Sequence, residues 1–216
     1  IFMTGINAIF YIIVLIMSVV IHEVAHGYSA YLLGDKTAYF KGRLTLNPLK
    51  HLDPFGSVIL PLILILTNSG FVIGWAKPVP YNPNNLRKWK HSELVVAISG
   101  IVANLLMALL FSIIIRGVMY FGLPIISDSL ALSPFYQITS IIVITNLVLA
   151  FFNLIPVPPL DGSKVLFSLL PARFFNFKVF LSRYGFFILI FFILFIWKLV
   201  APFIMFLFSL LTGLAI

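Results

Sequence analysis

His22-Glu23-Val24-Ala25-His26 lies inside an apolar run from Ile6 to Leu33 that is long enough to cross a lipid bilayer. On a helix, residues four apart share a face, so the two histidines can present ring nitrogens to one metal ion. Glu23 is offset by about 100° toward a metal-bound water, whose proton it can accept and pass to a leaving amine. The stretch therefore predicts a helix that carries two zinc ligands and a general base.

The composition is that of an integral membrane protein. Apolar residues make up 62% and charged residues 9% of the 216 positions, and the mean hydropathy is +1.14. The chain has no cysteine, so any metal must be held by His, Asp or Glu. The net charge of +8 comes from basic residues in short loops between apolar stretches. We therefore expect these charges to orient the helices in the lipid bilayer, and we expect no binding to nucleic acid.

Further apolar stretches predict the other membrane elements. Leu94–Ile115 and Ile138–Ile155 are uninterrupted, whereas Phe186–Leu214 is interrupted near its middle at Lys198 and Pro202. With the first helix, these stretches predict a core of three transmembrane helices and one or two C-terminal helices. Neither an internal repeat nor a long linker divides the sequence, so we expect one membrane-embedded metalloprotease domain over the whole chain, residues 1–216.

Loop charges predict the orientation of these helices. Basic residues cluster in segments 34–53, 75–91 and 157–183, whereas segment 117–133 has none. The positive-inside rule makes the three basic segments cytoplasmic. Segment 58–73 is apolar but broken, and it has basic segments on both flanks, so it is predicted to re-enter the membrane or to form a tight hairpin. The zinc site then lies nearer the cytoplasmic side.

A third metal ligand must come from outside the first helix. Asp161 follows a stretch that starts at Asn153 and has prolines at three of the four positions 156–159, which forbids a regular helix there. Asp161 is either the third ligand or the N-cap of the next helix. Because two histidines need one more protein ligand, we favour Asp161 as a ligand.

The sequence resembles the site-2 protease family of intramembrane zinc metalloproteases, in the compact prokaryotic form without a PDZ or CBS domain. The resemblance is carried by HEVAH at 22–26 and by NLIPVPPLDG at 153–162. Further similar stretches lie at 42–48, 51–56, 74–80 and 99–104. The resemblance implies that one Zn²⁺ per chain is held by His22, His26 and Asp161 in a prokaryotic cell membrane, with Glu23 as general base and acid.

Two asparagines are further candidates for the site. In the family, the residue at the position of Asn153 is thought to orient the substrate or to support the oxyanion, and side-chain amides stabilise oxyanions in other hydrolases. A hydrogen bond between helices is the alternative for Asn153. Asn104 is a candidate for substrate binding, and helix packing beside Gly100 is the alternative.

The stretch 74–81 carries two prolines and cannot form a good helix. The resemblance implies a short β-hairpin that dips into the membrane beside the zinc ion. There, Lys77, Pro78 and Val79 would bind an unwound substrate segment as an added strand. A surface loop is the alternative. His51, in a nearby loop, is expected to be solvated, with an approach to the active site as the alternative.

The sequence thus predicts an all-α polytopic membrane protein that hydrolyses a peptide bond in or near a transmembrane segment of a membrane protein. The alternative is a divalent-metal transporter, or a metal-binding membrane protein without peptidase activity, which would not need Glu23. The loop 121–135 is too short for a PDZ domain, and we expect no soluble domain after Leu214. We therefore expect any regulator to be a separate membrane protein.

Overall fold

The computed structural model describes residues 5–60, 63, 66, 67, 76–87, 91–121 and 134–214. The α-helices are α1 (Gly5–Leu32), α2 (Thr37–Phe40), α3 (Ser92–Tyr120), α4 (Pro134–Asn153), α5 (Asp161–Leu169), α6 (Phe175–Phe191) and α7 (Trp197–Thr212). Turns of 3₁₀-helix lie at Pro48–Lys50, Pro83–Asn85 and Ala172–Phe174, and π-helical turns lie at Pro54–Ile59 and Phe192–Ile196.

Among the described residues, four helical stretches are long and apolar enough to cross a membrane: 10–32, 92–120, 134–153 and 172–212. The prediction of an all-helical, multi-pass membrane protein is therefore confirmed. Within the described ranges, β-structure is limited to one isolated antiparallel bridge between Leu52 and Ala76. The predicted β-hairpin stays a prediction. Most of segment 58–73 lies outside the described residues, so its predicted re-entrance is also left as a prediction.

The membrane helices pack through stripes of small and polar residues. On α1, one stripe of buried residues recurs at every fourth position, namely Ser18, His22, His26 and Ala30. On α3, a similar stripe runs along one face through Val96, Gly100, Asn104, Ala108, Ser112 and Ile115. Small side chains let backbones approach closely, which is how helices associate where lipid is as apolar as the protein. The two histidines of α1 therefore face α3, where they contact Asn104 and the Val96 carbonyl, and not the lipid.

The C-terminal region is a continuous helical path. α6 and α7 are joined by the π-helical turn Phe192–Ile196, and α7 continues through Lys198 and Pro202. The regular α-helix is thus interrupted by the π-helical turn, which lies earlier in the chain than the predicted interruption at Lys198 and Pro202. With the preceding 3₁₀ turn, the path has 41 residues, which at 1.5 Å per residue give about 60 Å, twice the hydrocarbon thickness of a bilayer. Ile204 and Phe208 of α7 pack in one cluster with buried residues of α3 and α4.

A buried carboxylate organises the loops at the C-terminal end of α1. Asp35 is fully buried and accepts hydrogen bonds from Thr37, from the Asn82 amide at 2.6 Å and from the Asn85 side chain at 3.0 Å. Burial raises the pKa of Asp35, but these hydrogen bonds outweigh it and hold the pKa below its usual range. Asp35 therefore ties the segment around residue 82 to the C-terminal end of α1.

Candidate metal centre

Three buried side chains converge where α1, α3 and the start of α5 meet. The Nε2 atoms of His22 and His26 lie 3.1 Å apart, and Oδ2 of Asp161 lies 2.9 Å from each of them. These three side chains form the one group of potential metal ligands found in the described part of the chain. The structure thus brings together the three ligands that the sequence predicted.

The outer nitrogens of both histidines are used as hydrogen-bond donors. His22 Nδ1 lies 3.1 Å from Asn104 Oδ1, and His26 Nδ1 lies 2.7 Å from the Val96 carbonyl oxygen. Both partners are acceptors, so the proton of each neutral ring is assigned to Nδ1. The two Nε2 atoms then point lone pairs at each other and at the Asp161 carboxylate. Three acceptors at hydrogen-bond distance without a proton repel one another unless a cation lies among them, so the site fits a divalent metal ion.

The backbone of α3 leaves room for such an ion. A Cβ atom built on Gly100 would lie 2.6 Å from His22 Cε1 and 2.6 Å from His26 Nε2. Real Cβ atoms do not approach other heavy atoms so closely, and any side chain here would push the imidazoles apart. Glycine at this position keeps the metal-facing side of both rings open, which also supports a metal centre.

The turn between α4 and α5 brings Asp161 to the histidines. α4 ends at Asn153, and Asp161 is the first residue of α5. Gly162 lies so close to the carbonyl oxygen of Leu154 that a Cβ atom there would collide with it. This contact packs the start of α5 against the end of α4, and the Asp161 carboxylate then faces the helix bundle. The N-cap position belongs to Leu160, so Asp161 is not the N-cap that sequence reasoning considered as the alternative.

Lys164 lies one helical turn after Asp161, and its Nζ is 2.8 Å from Asp161 Oδ1. Burial lowers the pKa of Lys164, but the Asp161 carboxylate outweighs it and raises the pKa above its usual value. The amine is therefore charged at neutral pH. Sequence reasoning treated Lys164 only as a loop charge, although an acid and a base three residues apart on a helix are a known pairing signal.

Glu23 is held beside the metal ligands by an extended segment. Its Oε2 accepts a hydrogen bond from the Val79 amide at 2.8 Å. The segment is in turn gripped by the loop after α2: Arg43 Nη2 donates to the Lys77 carbonyl at 2.7 Å, and the Lys77 amide donates to the His51 carbonyl at 2.8 Å. Lys77 and Pro78 are exposed and Val79 is buried. No local sequence pattern predicted that Arg43 would hold the backbone of this segment.

His51 differs from the expectation that it is solvated. Its side chain is buried at 1% exposure, and Nε2 donates to the Thr45 carbonyl at 2.8 Å. Because its own carbonyl holds the Lys77 amide, His51 supports the segment that contacts Glu23. A lone histidine in a loop is solvated unless the tertiary fold covers it, and that covering was not visible in the sequence.

The two candidate asparagines have different surroundings. Asn104 is fully buried against His22, and its Nδ2 has no hydrogen-bond partner among the described residues. Asn153 is half-buried at the end of α4, and its Nδ2 donates to the Leu149 carbonyl of the same helix at 3.0 Å. A contact of either residue with a substrate stays a prediction.

Comparison with known proteins places the chain in a family. Residues 118–194 match the model of peptidase family M50. YwhC of Bacillus subtilis, named as a zinc metalloprotease, is 43% identical over 161 residues, which are 74% of this chain and 68% of the relative. Rip2 of Mycolicibacterium smegmatis, also named as a zinc metalloprotease, is 29% identical over 68% of this chain and 52% of its own length. The chain thus spans about half of the Rip2 protein. No solved structure matches.

Proposed function

This chain belongs to peptidase family M50, and from that premise we propose that it is an intramembrane zinc metalloprotease. It hydrolyses a peptide bond in or near a transmembrane segment of another membrane protein. The observation that carries this proposal is the convergence of His22 Nε2, His26 Nε2 and Asp161 Oδ2, with distances of 2.9 to 3.1 Å, next to a glutamate held in place by a backbone amide.

His22, His26 and Asp161 hold the zinc ion in this proposal. Three protein ligands are the usual set of a catalytic zinc site, since they leave a position for water or substrate. Zinc, when bound, lowers the pKa of a water molecule and polarises the substrate carbonyl. The outer hydrogen bonds to Asn104 and to the Val96 carbonyl keep both rings oriented, as such partners do in other zinc enzymes.

Glu23 acts as general base and then as general acid. It follows His22 by one residue on α1, and the Val79 amide fixes one of its two carboxylate oxygens. Glu23 takes a proton from the attacking water and delivers it to the amine that leaves. A glutamate without this anchor would sample several rotamers, so the hydrogen bond from Val79 reduces the entropy lost when the reaction starts.

The substrate segment is proposed to unwind beside residues 76–80. A helical substrate hides its peptide bonds in its own hydrogen bonds, so cleavage requires a stretch of extended backbone. Both backbone groups of Lys77 are bonded to the loop after α2. Substrate contact at this segment therefore depends on the exposed surface of Lys77 and Pro78 and on the neighbouring carbonyl groups. Asn153 would contribute to the oxyanion by turning its amide away from Leu149.

Loop charges support a location of the zinc centre nearer the cytoplasmic side of a prokaryotic cell membrane. The substrate then reaches the centre from within the bilayer, between helices that expose apolar side chains to lipid. A separate membrane protein is proposed as the regulator.

The proposal is tested with the purified protein in lipid vesicles and a single-pass reporter protein whose fragments are identified by mass spectrometry. We expect one cut in or near the transmembrane segment, loss of cleavage after chelation of the metal and recovery on addition of Zn²⁺. Uptake of Zn²⁺ into vesicles without any cleavage would contradict the proposal and favour a transporter.

A further inference from the structure

The two oxygens of the Asp161 carboxylate have separate partners. Oδ2 lies 2.9 Å from Nε2 of both His22 and His26. Oδ1 lies 2.8 Å from the Lys164 ammonium group. The carboxylate is almost wholly buried, with 7% of its side chain exposed, whereas 46% of the Lys164 side chain is exposed. A surface cation thus reaches inward to the oxygen that faces away from the histidines.

A carboxylate without such a partner has two ways to disturb a three-ligand metal site. Rotation about its terminal bond exchanges the two oxygens, and tilting brings both oxygens to the metal, which takes up the position that water or substrate needs. A charged donor on the outer oxygen opposes both movements, and charge-assisted hydrogen bonds are about twice as strong as neutral ones. Asn104 fixes the ring orientation of His22 in the same way, and the Val96 carbonyl fixes that of His26.

We propose that Lys164 is a positioning residue of the metal centre, which holds Asp161 Oδ1 so that Oδ2 alone faces the metal. The pair belongs to the first turn of α5, so Asp161 and the cation that orients it move together with one rigid element. With Asn104 and Val96, Lys164 gives each of the three ligands its own outer hydrogen-bond partner. This inference rests on the metal centre proposed above.

Lys178 provides a matched control. Its Nζ donates to the carbonyls of Phe167 at 2.7 Å and Leu170 at 3.1 Å, at the other end of α5. Lys178→Met therefore removes a lysine that stabilises the same helix but has no bond to a metal ligand. Lys164→Met removes the charge and the donor, whereas Lys164→Arg keeps both.

The test measures zinc affinity of the full-length purified protein by competition with a chromophoric chelator. We expect Lys164→Met to bind Zn²⁺ about 10- to 100-fold more weakly than the parent, as is typical when an outer partner of a metal ligand is removed. Lys164→Arg is expected to recover part of the affinity, and Lys178→Met is expected to bind like the parent. With excess Zn²⁺, cleavage of the reporter by Lys164→Met is expected to regain the parent KM and most of the parent kcat.

Two results overturn the inference. One is a Lys164→Met variant that binds Zn²⁺ as tightly as the parent or more tightly, which would mean that the cation only repels the metal ion. The other is a raised KM with unchanged zinc affinity, which would make Lys164 a substrate contact. Asp161→Ala separates this inference from the proposed function. If Asp161→Ala also binds Zn²⁺ like the parent, the metal centre itself is wrong, whereas loss of zinc only in Asp161→Ala leaves the centre intact and refutes the role of Lys164.

Discussion

Asn104 Oδ1 accepts a hydrogen bond from His22 Nδ1 at 3.1 Å, across the interface between α3 and α1. The bond decides which nitrogen of His22 carries the proton and which presents a lone pair to the metal ion. Asn104 is fully buried, so this bond is shielded from competition with water. The interface between these two helices is therefore part of the metal centre and not only a packing surface.

Replacement of Asn104 by leucine is expected to weaken zinc binding by about 10- to 100-fold, because His22 loses the acceptor that fixes its ring. The measurement is chelator competition on the purified protein. Asn146→Leu is the matched control, since Asn146 is also fully buried in a helix interface but bonds to Ser18 and not to a ligand. Equal zinc affinity of the two variants would show that Asn104 serves packing alone.

Gly100→Ala is expected to abolish stoichiometric zinc binding. The new Cβ atom would lie 2.6 Å from atoms of both ligand rings, and the backbone of α3 cannot move away without loss of its packing on α1. Gly117→Ala in the same helix is the control, because a Cβ atom there meets nothing within 4 Å. Metal content by mass spectrometry distinguishes them, and a full complement of zinc in Gly100→Ala would refute the placement of α3 against the rings.

Arg43→Met is expected to lower kcat by about 10- to 100-fold with zinc content unchanged. The arginine holds the carbonyls of Lys77 and Pro78 at 2.7 Å and 3.3 Å, and the next residue donates its amide to Glu23. Without Arg43 the segment shifts and Glu23 loses its orientation. The exposed Lys41→Met controls for loss of a positive charge in the same loop. Parent-like kcat in Arg43→Met would mean that the segment holds its position without the arginine.

Asp35→Asn is expected to destabilise the folded protein by about 1 to 3 kcal/mol at neutral pH, since the donors of Thr37, Asn82 and Asn85 lose a charged acceptor that is fully buried. The folded-state pKa of Asp35 is lowered, so its contribution to stability is present above the unfolded pKa of about 4 and is lost as the pH falls through the folded value. Thermal unfolding in detergent from pH 7 to pH 3 measures this. The difference in stability between the parent and Asp35→Asn should shrink below about pH 4. A difference that does not change with pH would contradict the lowered pKa of Asp35.

The parts of the site that could be predicted from sequence are those set by local helix geometry or by the small number of acidic residues in the chain. His22, Glu23 and His26 follow from helical spacing within an apolar run. Asp161 could be predicted because the chain has only six Asp and Glu residues, and Asp161 is the one that comes directly after a proline-rich turn. The transmembrane helices follow from hydropathy, since a bilayer requires backbone hydrogen bonds to be satisfied within each helix.

The parts that could not be predicted depend on contacts between distant segments. The amide of Val79 reaches Glu23 across 56 positions of sequence, and the burial of His51 depends on a loop that folds back on residues 76–77. The interruption lies at residues 192–196 and not at Pro202, because a membrane helix tolerates a proline whose freed backbone group is satisfied locally.

The central claim is that Glu23 moves the proton in a zinc-dependent hydrolysis, and Glu23→Gln tests it most directly. The amide side chain keeps an acceptor for the Val79 amide but cannot take a proton from water. Glu93→Gln, at the only other glutamate, is the control. Cleavage of the vesicle reporter and zinc content are measured on the same samples. We predict a full complement of zinc in Glu23→Gln and a kcat at least about 100-fold below the parent, whereas cleavage at the parent rate with zinc bound would contradict the account.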